Sequence, residues 1–457
     1  MSLGIVILAA GQGTRMRSAL PKVLHPIAGR PMLAHVLDGA RALNPDRIVV
    51  VYGHGGEQVR AAIPDADLLW AEQAQQLGTG HAVQQAMSHL AGLDRVLVLY
   101  GDVPLIRAQT LTRLLDAAGG DAGLLTMTLP DPTGYGRILR DTGGHVTAII
   151  EHKDASADQR AVCEVNTGIL ALPGARLAGW LADLSCDNAQ EEYYLTDLVA
   201  MAVAEGVAVH TAQPDDAIEA EGVNNRQQQA TLERAYQARA ANELMAEGVS
   251  FADPARFDLR GSLRCGHDVS IDVNVIVQGD VVLGDRVHIG PNTVLRNVSV
   301  GDDVTIHENC VLDGAKVGNG SRIGPFARLR PGAELLGQTH VGNFVEIKQS
   351  TIGQGSKVNH LSYVGDSQVG AGVNLGAGTI TCNYDGANKH RTVIGDNAFV
   401  GSNTALVAPV NIGEGATIGA GSVIGKDAPA GKLSLSRSKQ VTVDGWQRPK
   451  KNQPKES

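Results

Sequence analysis

The sequence has few cysteines, no excess of positive charge and no long hydrophobic run, and each shortage excludes a class of protein. Its 5 cysteines among 457 residues are widely spaced, and no CxxC pair occurs. Neither a disulfide framework nor a zinc site is therefore favoured, and a reducing cytoplasm fits. With 39 Lys and Arg against 48 Asp and Glu, the net charge of -9 argues against nucleic acid or an acidic membrane surface as the main partner.

The first apolar run, at residues 3–10, has no basic leader and is too short for a signal peptide or a membrane span. We therefore expect a cytoplasmic protein that does not bind membranes. A chain of 457 residues is also too long for one ordinary core, so its length predicts two or three domains.

Over residues 271–424, an aliphatic residue returns at every sixth position for most of the length. A six-residue period fits neither a helix nor an ordinary strand and is typical of a parallel β-helix. Some steps shorten to five residues, as from Leu295 to Val300, which predicts a three-sided coil in which one corner can lose a residue. Glycine often follows the aliphatic position, and we expect it to supply a corner conformation that other residues resist. The aliphatic row comprises Ile271, Val277, Leu283, Ile289, Leu295, Val300, Ile306, Leu312, Val317, Ile323, Leu329, Leu335, Val341, Ile347, Ile352, Val358, Val364, Val369, Leu375, Ile394, Val400, Leu406, Ile412, Ile418 and Ile424.

The amino-terminal half has a different pattern, in which short apolar runs alternate with helix-like segments. The predicted strands cover residues 4–10, 47–52, 95–100, 123–129, 146–151 and 167–170. This alternation predicts an α/β layer with a mostly parallel sheet, whose ligands sit beyond the carboxyl ends of the strands.

A glycine loop follows the first predicted strand. Its backbone amides around Gly11 and Gly13 could form an anion nest, with Arg15 and Lys22 adding positive charge. Taken alone, such a loop is more often a plain strand-to-helix connection. The loop also lacks the GK[ST] of a P-loop and the third glycine of the dinucleotide fingerprint, so some other phosphate chemistry is indicated.

Further motifs make the chemistry specific. LAAGQGTRM at 8–16 and LPKVLH at 20–25 resemble the signature of sugar-1-phosphate nucleotidyltransferases. QLGTGHA at 76–82, LYGDVPL at 99–105, PTGYGR at 132–137, EHKDA at 151–155, NTGI at 166–169 and EGVNNR at 221–226 extend the match. With the six-residue array, nearly the whole chain resembles the bacterial bifunctional N-acetylglucosamine-1-phosphate uridylyltransferase/glucosamine-1-phosphate N-acetyltransferase family.

This resemblance implies a Rossmann-like nucleotidyltransferase domain at 1–225, a linker helix at 226–248 and a left-handed parallel β-helix acetyltransferase domain with a tail at 249–457. Residues 225–247 contain no glycine or proline and are rich in good helix formers, which independently predicts one long helix. The alternative is a disordered polar linker.

For the first domain, the resemblance implies in-line attack of a sugar phosphate on UTP, with Arg15 and Lys22 as catalytic cations. Asp102 is a hard oxygen ligand at a strand end, and Asn224 would be its partner on Mg²⁺. A lone Asp at such a place is otherwise more often a turn former. Gln12 stands where many relatives have lysine, so Arg15 and Lys22 carry more of the anion binding. The implied nucleotide and sugar residues are Leu8, Ala9, Ala10, Gly11, Lys22, Gln73, Gly78, Thr79, Tyr100, Gly101, Asp102, Gly136, Glu151, Asn166 and Asn224.

The array itself could be nothing but scaffold, so departures from its period carry the functional argument. One departure is a polar cluster on adjacent coils, and the other is the gap between Leu375 and Ile394. In the cluster, His360 is the candidate general base because imidazole titrates near neutrality, and Glu346 is a candidate to orient it. The resemblance implies sugar-phosphate binding by Arg330, Lys348, Tyr363 and Asn374.

Acetyl-CoA would be the acyl donor. The resemblance implies that its groove is lined by Ala377, Asn383, Tyr384, Ser402, Ala420 and Arg437. The basic tail (Arg448, Lys450, Lys451) could meet the nucleotide phosphates, although such tails are usually only solvated. The family also implies a homotrimer whose acetyltransfer sites are built from neighbouring chains.

These inferences together predict synthesis of UDP-N-acetylglucosamine in two steps on one chain, by acetylation of glucosamine 1-phosphate and then uridylyl transfer. The product would feed peptidoglycan and lipopolysaccharide precursors. The alternative is a sugar-1-phosphate nucleotidyltransferase with one activity and a structural β-helix. A purely structural repeat protein would show no turnover at all.

Overall fold

The computed structural model describes residues 1–449. The chain forms two compact units that divide between Ala240 and Ala241, inside the helix Arg226–Ala246. This helix confirms the element predicted at residues 225–247, whereas the functional limits at 225 and 248 remain a prediction. Across residues 1–449, no helix is both long and apolar enough to cross a membrane.

The first unit is an α/β layer. Its strands are β1 Leu3–Ala9, β2 Pro26–Ile27, β3 Arg30–Pro31, β4 Arg47–Tyr52, β5 Leu68–Glu72, β6 Arg95–Tyr100, β7 Ala122–Thr128, β8 Arg137–Arg140, β9 Val146–Ile150, β10 Glu164–Pro173 and β11 Val209–Ala212. Its helices are α1 Met32–Arg41, α2 Gly56–Ala62, α3 Thr79–Leu90, α4 Ala108–Ala118, α5 Ala157–Arg160, α6 Gly174–Ala182, α7 Asp197–Ala204 and the long α8 Arg226–Ala246. Short 3₁₀ turns cover Thr14–Met16, Lys22–Leu24 and Ala217–Ala220.

The main sheet has the order β11-β7-β10-β6-β1-β4-β5, and the β8–β9 pair adjoins β10. Only β10 runs antiparallel to its neighbours on this path, so the predicted mostly parallel sheet is confirmed. Strand β1 is central, and Ile5 and Ile7 are fully buried because helices cover both faces of the sheet. Leu8 of β1 pairs with Tyr100 of β6, so the loops that follow these two strands begin side by side.

The second unit is a parallel β-helix whose strands form two long sheets. The first consists of Ser250–Phe251, Ser270–Ile271, His288–Ile289, Thr305–Ile306, Arg322–Ile323, His340–Asn343, Lys357–His360, Asn374–Leu375, Phe399–Val400, Thr417–Ile418 and Leu433–Ser434. The second consists of Phe257–Cys265, Val275–Leu283, Val294–Arg296, Ser299–Val300, Val311–Asp313, Lys316–Val317, Arg328–Leu329, Ala333–Leu335, Glu346–Lys348, Ser350–Ile352, Tyr363–Gly365, Ser367–Val369, Ile380–Cys382, Thr392–Ile394, Ala405–Val407, Val410–Ile412 and Val423–Ile424. A 3₁₀ turn covers Pro254–Arg256.

Most coils contribute one strand to the first sheet and two to the second, whereas in the first two coils one nine-residue strand covers both of those sides. The predicted three sides are therefore confirmed. Paired residues on successive coils stand 17 or 18 positions apart, as Ile289 does from Ile306 and Ile323 does from Val341. Three six-residue steps give 18, and the loss of one corner residue gives 17. Every member of the predicted aliphatic row is buried, which places the row inside the prism.

The prediction that glycines after the aliphatic row supply a left-handed corner conformation is wrong. Among those that follow the row, only Gly324 has a positive φ, whereas many left-handed corner positions are taken by residues such as Asn274, Asn292 and Asn309. The glycines are instead required by close stacking of coils. A Cβ on Gly413, for example, would lie 2.5 Å from the backbone nitrogen of Ala430.

The long break in the row is also shorter than predicted. The strand Ile380–Cys382 lies within it and pairs with the coils on either side, with Thr381 buried opposite Leu406. A polar residue thus occupies a row position because its hydroxyl bonds to the backbone of Gly365. The true insertion is residues 383–391, where the spacing between coils rises to 25.

Candidate active sites

A pocket of about 230 Å³ lies at the carboxyl ends of β1 and β6. It is lined by Leu8, Ala9, Ala10, Gly11, Lys22, Val23, Gln73, Gln76, Gly78, Thr79, Ala82, Tyr100, Asp102 and Glu192. Most nucleotide-site residues predicted from the sequence are therefore brought to one cavity. Gly136, Glu151, Asn166 and Asn224 adjoin it through the contacts described next.

Lys22 is the centre of the charged end of the pocket. Its ammonium forms an ion pair with Asp102 and also donates to Asn224 Oδ1 at 2.9 Å. Asn224 is held there because the Val223 N–H donates to the Asp102 carbonyl at 2.9 Å. Arg15 Nη2 donates to the same Asn224 oxygen at 2.9 Å, so two cations and two oxygen ligands meet at one place.

Gly13 allows the glycine loop to pack beside Lys22 while Lys22 contacts Asp102 and Asn224. Its φ of +61 lies in the left-handed region, and a Cβ there would come 2.6 Å from the Lys22 Cβ. A side chain at this position would therefore push Lys22 away from Asp102. Gly11 has open space around it, which leaves its backbone accessible from the pocket.

The opposite end of the pocket is a loop suited to reading a base. Gln73 is almost fully buried, and its Nε2 donates to the Gly78 carbonyl at 3.0 Å. Gly78 has a φ of +112 and is packed against the backbone of Tyr193, so a side chain would not fit. Backbone bonds from Tyr193 to Leu77 (2.9 Å) and from Gly80 to Tyr193 (2.8 Å) fix this loop.

Gly136, Glu151 and Asn166 form a second polar group. The Asn166 N–H donates to the Gly136 carbonyl at 2.9 Å, and the Glu151 carboxylate lies beside Gly136. Burial raises the pKa of Glu151. Tyr100 lines the main pocket, and it is close enough to this group that the charge of Glu151, together with burial and the charge of Asp102, raises the pKa of its phenol.

In the second unit, His360, Ala377, Ser402 and Ala420 occupy equivalent positions at one corner of successive coils. Backbone hydrogen bonds join successive coils at this corner. The Gly378 N–H donates to the His360 carbonyl at 3.2 Å, and the Asn403 N–H donates to the Ala377 carbonyl at 2.7 Å. The side chain of Arg437 lies beside Gly421 and Gly419, so it extends this row of positions. Within residues 1–449, the N–H groups of Ala377, Ser402 and Ala420 donate to no protein acceptor.

His360 itself is exposed, and its Nδ1 lies 2.9 Å from Asn343 Oδ1 on the preceding coil. Glu346 makes no hydrogen bond to the imidazole of the same chain, and its orienting role stays a prediction. It accepts a hydrogen bond from Arg330 at 2.8 Å. The group that contacts Nδ1 on the same chain is the carboxamide of Asn343, because Asn343 and His360 are paired positions on adjacent strands.

Arg330, Lys348 and Tyr363 form a separate cationic cluster with the insertion at 383–391. The Lys348 ammonium lowers the pKa of Lys389, which shows that two lysines of this cluster face each other. Asn383 bonds to Asp366 and to the Tyr363 hydroxyl, which anchors the start of the insertion. Two facing ammonium groups are unfavourable alone and suit an anion between them.

The structure thus divides the predicted acetyltransfer residues between two places on one chain. Among residues 1–449, the His360 side chain bonds to none of Arg330, Lys348 or Tyr363. Asn374 lies on the first sheet, paired with Lys357, and Tyr384 lies on the insertion. Arg448 is exposed. Lys450 and Lys451 lie outside the described residues.

Asn343 and Lys389 were not predicted as site residues, although their positions in the sequence gave some indication of each. Asn343 is 17 residues before His360, which is one coil length. Lys389 lies in the gap between Leu375 and Ile394, but its positive charge does not predict that it faces Lys348.

The comparisons with known proteins match segments of both units. A family described as the MobA-like NTP transferase domain matches residues 5–156, and bacterial transferase hexapeptide repeats match 264–297, 297–331 and 391–426. A solved UDP-glucose pyrophosphorylase bound to UDP-glucose matches 52% of this chain and 100% of that one, but at 16% identity and a TM-score of 0.43 it is too distant to inform the site.

Close relatives extend over the whole chain. The bifunctional protein GlmU of Stutzerimonas stutzeri is 61% identical, covering 99% of this chain and 100% of that protein. The bifunctional protein GlmU of Chromobacterium violaceum is 60% identical, covering 98% and 99%. That of Burkholderia multivorans is 58% identical over the same shares. The chain therefore belongs to the family of bifunctional GlmU proteins, in which one polypeptide carries both uridylyltransferase and acetyltransferase activity.

Proposed function

We propose that this chain makes UDP-N-acetylglucosamine in two steps, and that the predicted residues perform them. The second unit N-acetylates glucosamine 1-phosphate with acetyl-CoA. The first unit then transfers uridylyl from UTP to N-acetylglucosamine 1-phosphate and releases pyrophosphate. The observation that carries the proposal is that each unit has a site of its own: a pocket centred on Lys22 in one, and the corner headed by His360 in the other.

In uridylyl transfer the protein mainly positions anions and spreads their charge. Lys22 and Arg15 are the cations of the pocket, and their present partners, Asp102 and Asn224, hold them at its charged end. The triphosphate lies against the loop at Gly11, the uracil against Gln73, and the sugar against Glu151 and Asn166. Glu151 accepts hydrogen bonds from the sugar, because an ionised carboxylate has only acceptors.

The donor set of the pocket fits Mg²⁺, which the family implies. Asp102 and Asn224 direct two hard oxygen atoms at the same Lys22 ammonium, so both reach a common point that a cation can occupy. Within the described residues, no cluster of three or more His, Cys, Asp or Glu could hold a metal. Two protein ligands are sufficient for Mg²⁺, which takes its remaining ligands from phosphates and water. When bound, it would neutralise phosphate charge.

In acetyl transfer, His360 is the general base for the sugar amine. When Nδ1 donates to Asn343 Oδ1, the other ring nitrogen is left free to accept a proton. The free N–H groups of Ala377, Ser402 and Ala420 bind the amide-rich arm of acetyl-CoA, and Arg437 meets its phosphates. Arg330, Lys348 and Lys389 bind the phosphate of the sugar.

The separation of these two groups on one chain supports a site shared between chains. His360 and the acetyl-CoA corner would come from one subunit, and the cationic cluster from its neighbour. We propose a homotrimer, because flat faces of a three-sided coil suit closed threefold association. The product would supply cell-wall and lipopolysaccharide precursors.

The two-step order is tested by product analysis with the full chain, UTP and Mg²⁺. Glucosamine 1-phosphate should give UDP-N-acetylglucosamine only when acetyl-CoA is present. N-acetylglucosamine 1-phosphate should give the same product without acetyl-CoA. Rapid formation of UDP-glucosamine in the absence of acetyl-CoA would contradict the proposed order.

A further inference from the structure

Thr196 occupies a helix N-cap but does not cap the helix. It precedes α7, and its side chain makes no hydrogen bond to the first turn of that helix. Ser156, at the same position before α5, forms a complete capping box with Gln159. Threonine is favoured at N-caps because its hydroxyl accepts from the first turn. Thr196 has helical backbone angles (φ −64°, ψ −24°), unlike the extended N-cap backbone of Ser156, so its hydroxyl does not cap the helix and is available to another partner.

The hydroxyl of Thr196 donates instead to Glu151 Oε1, at 3.2 Å. Thr196 is itself buried, with only 7% of its surface exposed. Glu151 follows strand β9, against which α7 packs, so the bond joins two rigid elements at the sugar end of the pocket. No ion pair to the Glu151 carboxylate is present within residues 1–449.

The surroundings of Glu151 otherwise oppose its ionised form. Burial raises the pKa of this carboxyl, and the nearby charges of Asp154, Asp197 and Glu192 raise it further, whereas the bond from Thr196 lowers it. Tyr100 faces the same carboxylate. Thr196 is therefore the group that holds a half-buried acceptor in place and favours its charged state.

The neighbours of Thr196 bind the base-reading loop. The Leu195 N–H donates to Thr79 Oγ1 at 3.1 Å, and the Tyr193 backbone exchanges bonds with Leu77 and Gly80. One short segment, residues 193–196, thus contacts both the loop at Gly78 and the Glu151 carboxylate. This segment fixes the distance between the base and sugar ends of the pocket.

We propose that Thr196 is a positioning residue for uridylyl transfer, which orients Glu151 toward the sugar of N-acetylglucosamine 1-phosphate. The inference rests on the proposed role of Glu151 at the sugar. Thr196 acts through that carboxylate, and the backbone beside it keeps the carboxylate in register with the base-reading loop.

The test compares Thr196→Val with Thr196→Ser in the full chain. Thr196→Val should raise the KM for N-acetylglucosamine 1-phosphate about tenfold, because the carboxylate loses its one hydroxyl donor, while the KM for UTP stays within about twofold. Thr196→Ser keeps the donor and should stay near the wild type. Acetyl transfer by the same polypeptide serves as the folding control, and it should be unchanged in both variants.

A pH profile separates this role from simple packing. Because Thr196 favours the ionised carboxyl, its removal raises the pKa of Glu151, and the acid limb of kcat/KM for the sugar should move to higher pH in Thr196→Val only. Ionisation of the sugar phosphate itself is common to all variants and cancels in the comparison. In a Glu151→Gln background, Thr196→Val should have no further effect.

Several results would overturn the inference. Equal rises in both KM values, equal behaviour of the Val and Ser variants, or an undiminished effect in the Glu151→Gln background would show that Thr196 does not act through Glu151. A normal Thr196→Val enzyme beside an impaired Glu151→Gln enzyme would reject the role of Thr196 alone. A normal Glu151→Gln enzyme would reject the proposed sugar site as well.

Discussion

The nucleotide pocket and the β-helix corner are built in opposite ways. In the pocket, Lys22, Asp102 and Asn224 come from distant parts of the sequence and meet because parallel strands end at one edge of the sheet. At the corner, His360, Ala377 and Ser402 meet because the chain returns to the same position once per coil. The pocket side chains are largely shielded, with Lys22 only 13% exposed, whereas His360 is exposed.

This difference shows which feature of the fold positions the residues of each site. The pocket lies within one unit, and the side chains at its charged end are each held by several neighbours. The corner provides regular backbone spacing and little enclosure. An acetyltransfer site there needs further walls, and the cationic cluster on another face of the same coils is available to supply them in an assembly.

The largest expected effect is at the centre of the pocket. Lys22→Ala should lower kcat/KM for uridylyl transfer by about 10²–10³, because it removes the cation nearest the reacting phosphates. Acetyl transfer should be unaffected. Steady-state assays of both reactions check this, with Arg176→Ala, a surface ion-pair variant, as the matched control. Loss of less than about fivefold would show that Lys22 is not at the chemistry.

A mixing experiment tests whether the acetyltransfer site at the corner needs residues from a second chain. Lys348→Ala and His360→Ala chains should each be inactive in acetyl transfer when assembled alone. Co-assembled in equal amounts, they should regain about a quarter of wild-type activity, since random mixing restores that share of sites shared between two chains. The unfractionated co-assembled mixture, assayed with glucosamine 1-phosphate and acetyl-CoA, measures this. If no activity returns in verified mixed assemblies, each site lies within one chain.

Two adjacent residues separate scaffold from site within the repeat. Ile347 is fully buried in the aliphatic row, so Ile347→Ala should lower the free energy of unfolding of the second unit by about 2–5 kcal/mol. Lys348→Ala should change it by no more than about 0.5 kcal/mol. Thermal unfolding of both variants gives the comparison. A large loss of stability in Lys348→Ala would assign that lysine to the scaffold.

The smallest expected effect concerns the stability of the pocket. Because burial raises the pKa of Glu151, the folded state binds this proton more tightly than the unfolded chain. Stability therefore falls as pH rises from the unfolded pKa through the folded one, and the ionised carboxylate is destabilising at pH 7. Glu151→Gln should raise the melting temperature of the first unit slightly at pH 7, with no gain below about pH 4. A lower melting temperature at pH 7 would contradict this sign.

The sequence predicted the fold well where its pattern is long. The six-residue row yielded three sides and the buried face, because each position repeats the same packing rule many times. The prediction failed where one residue of the six-residue row is not aliphatic. Thr381 carries a hydroxyl in a row position, so the strand around it was read as part of a gap.

The sites were predicted mainly from motifs, and contacts between motifs could not be derived. Asp102 and Asn224 were predicted as partners on Mg²⁺, and the structure brings both to Lys22, while the metal role stays a prediction. Glu346 was predicted beside His360 in a polar cluster on adjacent coils. Its actual partner, Arg330, is set by which coil face each side chain occupies. Thr196 gave no signal, because only the folded structure shows that its hydroxyl leaves the helix uncapped.

The central claim is that two independent sites serve two reactions on one chain. Asp102→Ala and His360→Ala, each assayed for both reactions, test it most directly. Asp102→Ala should lose uridylyl transfer by at least about 100-fold and keep acetyl transfer within about twofold, and His360→Ala should do the reverse. If either substitution abolishes both activities in a folded protein, the account of two separate sites is wrong.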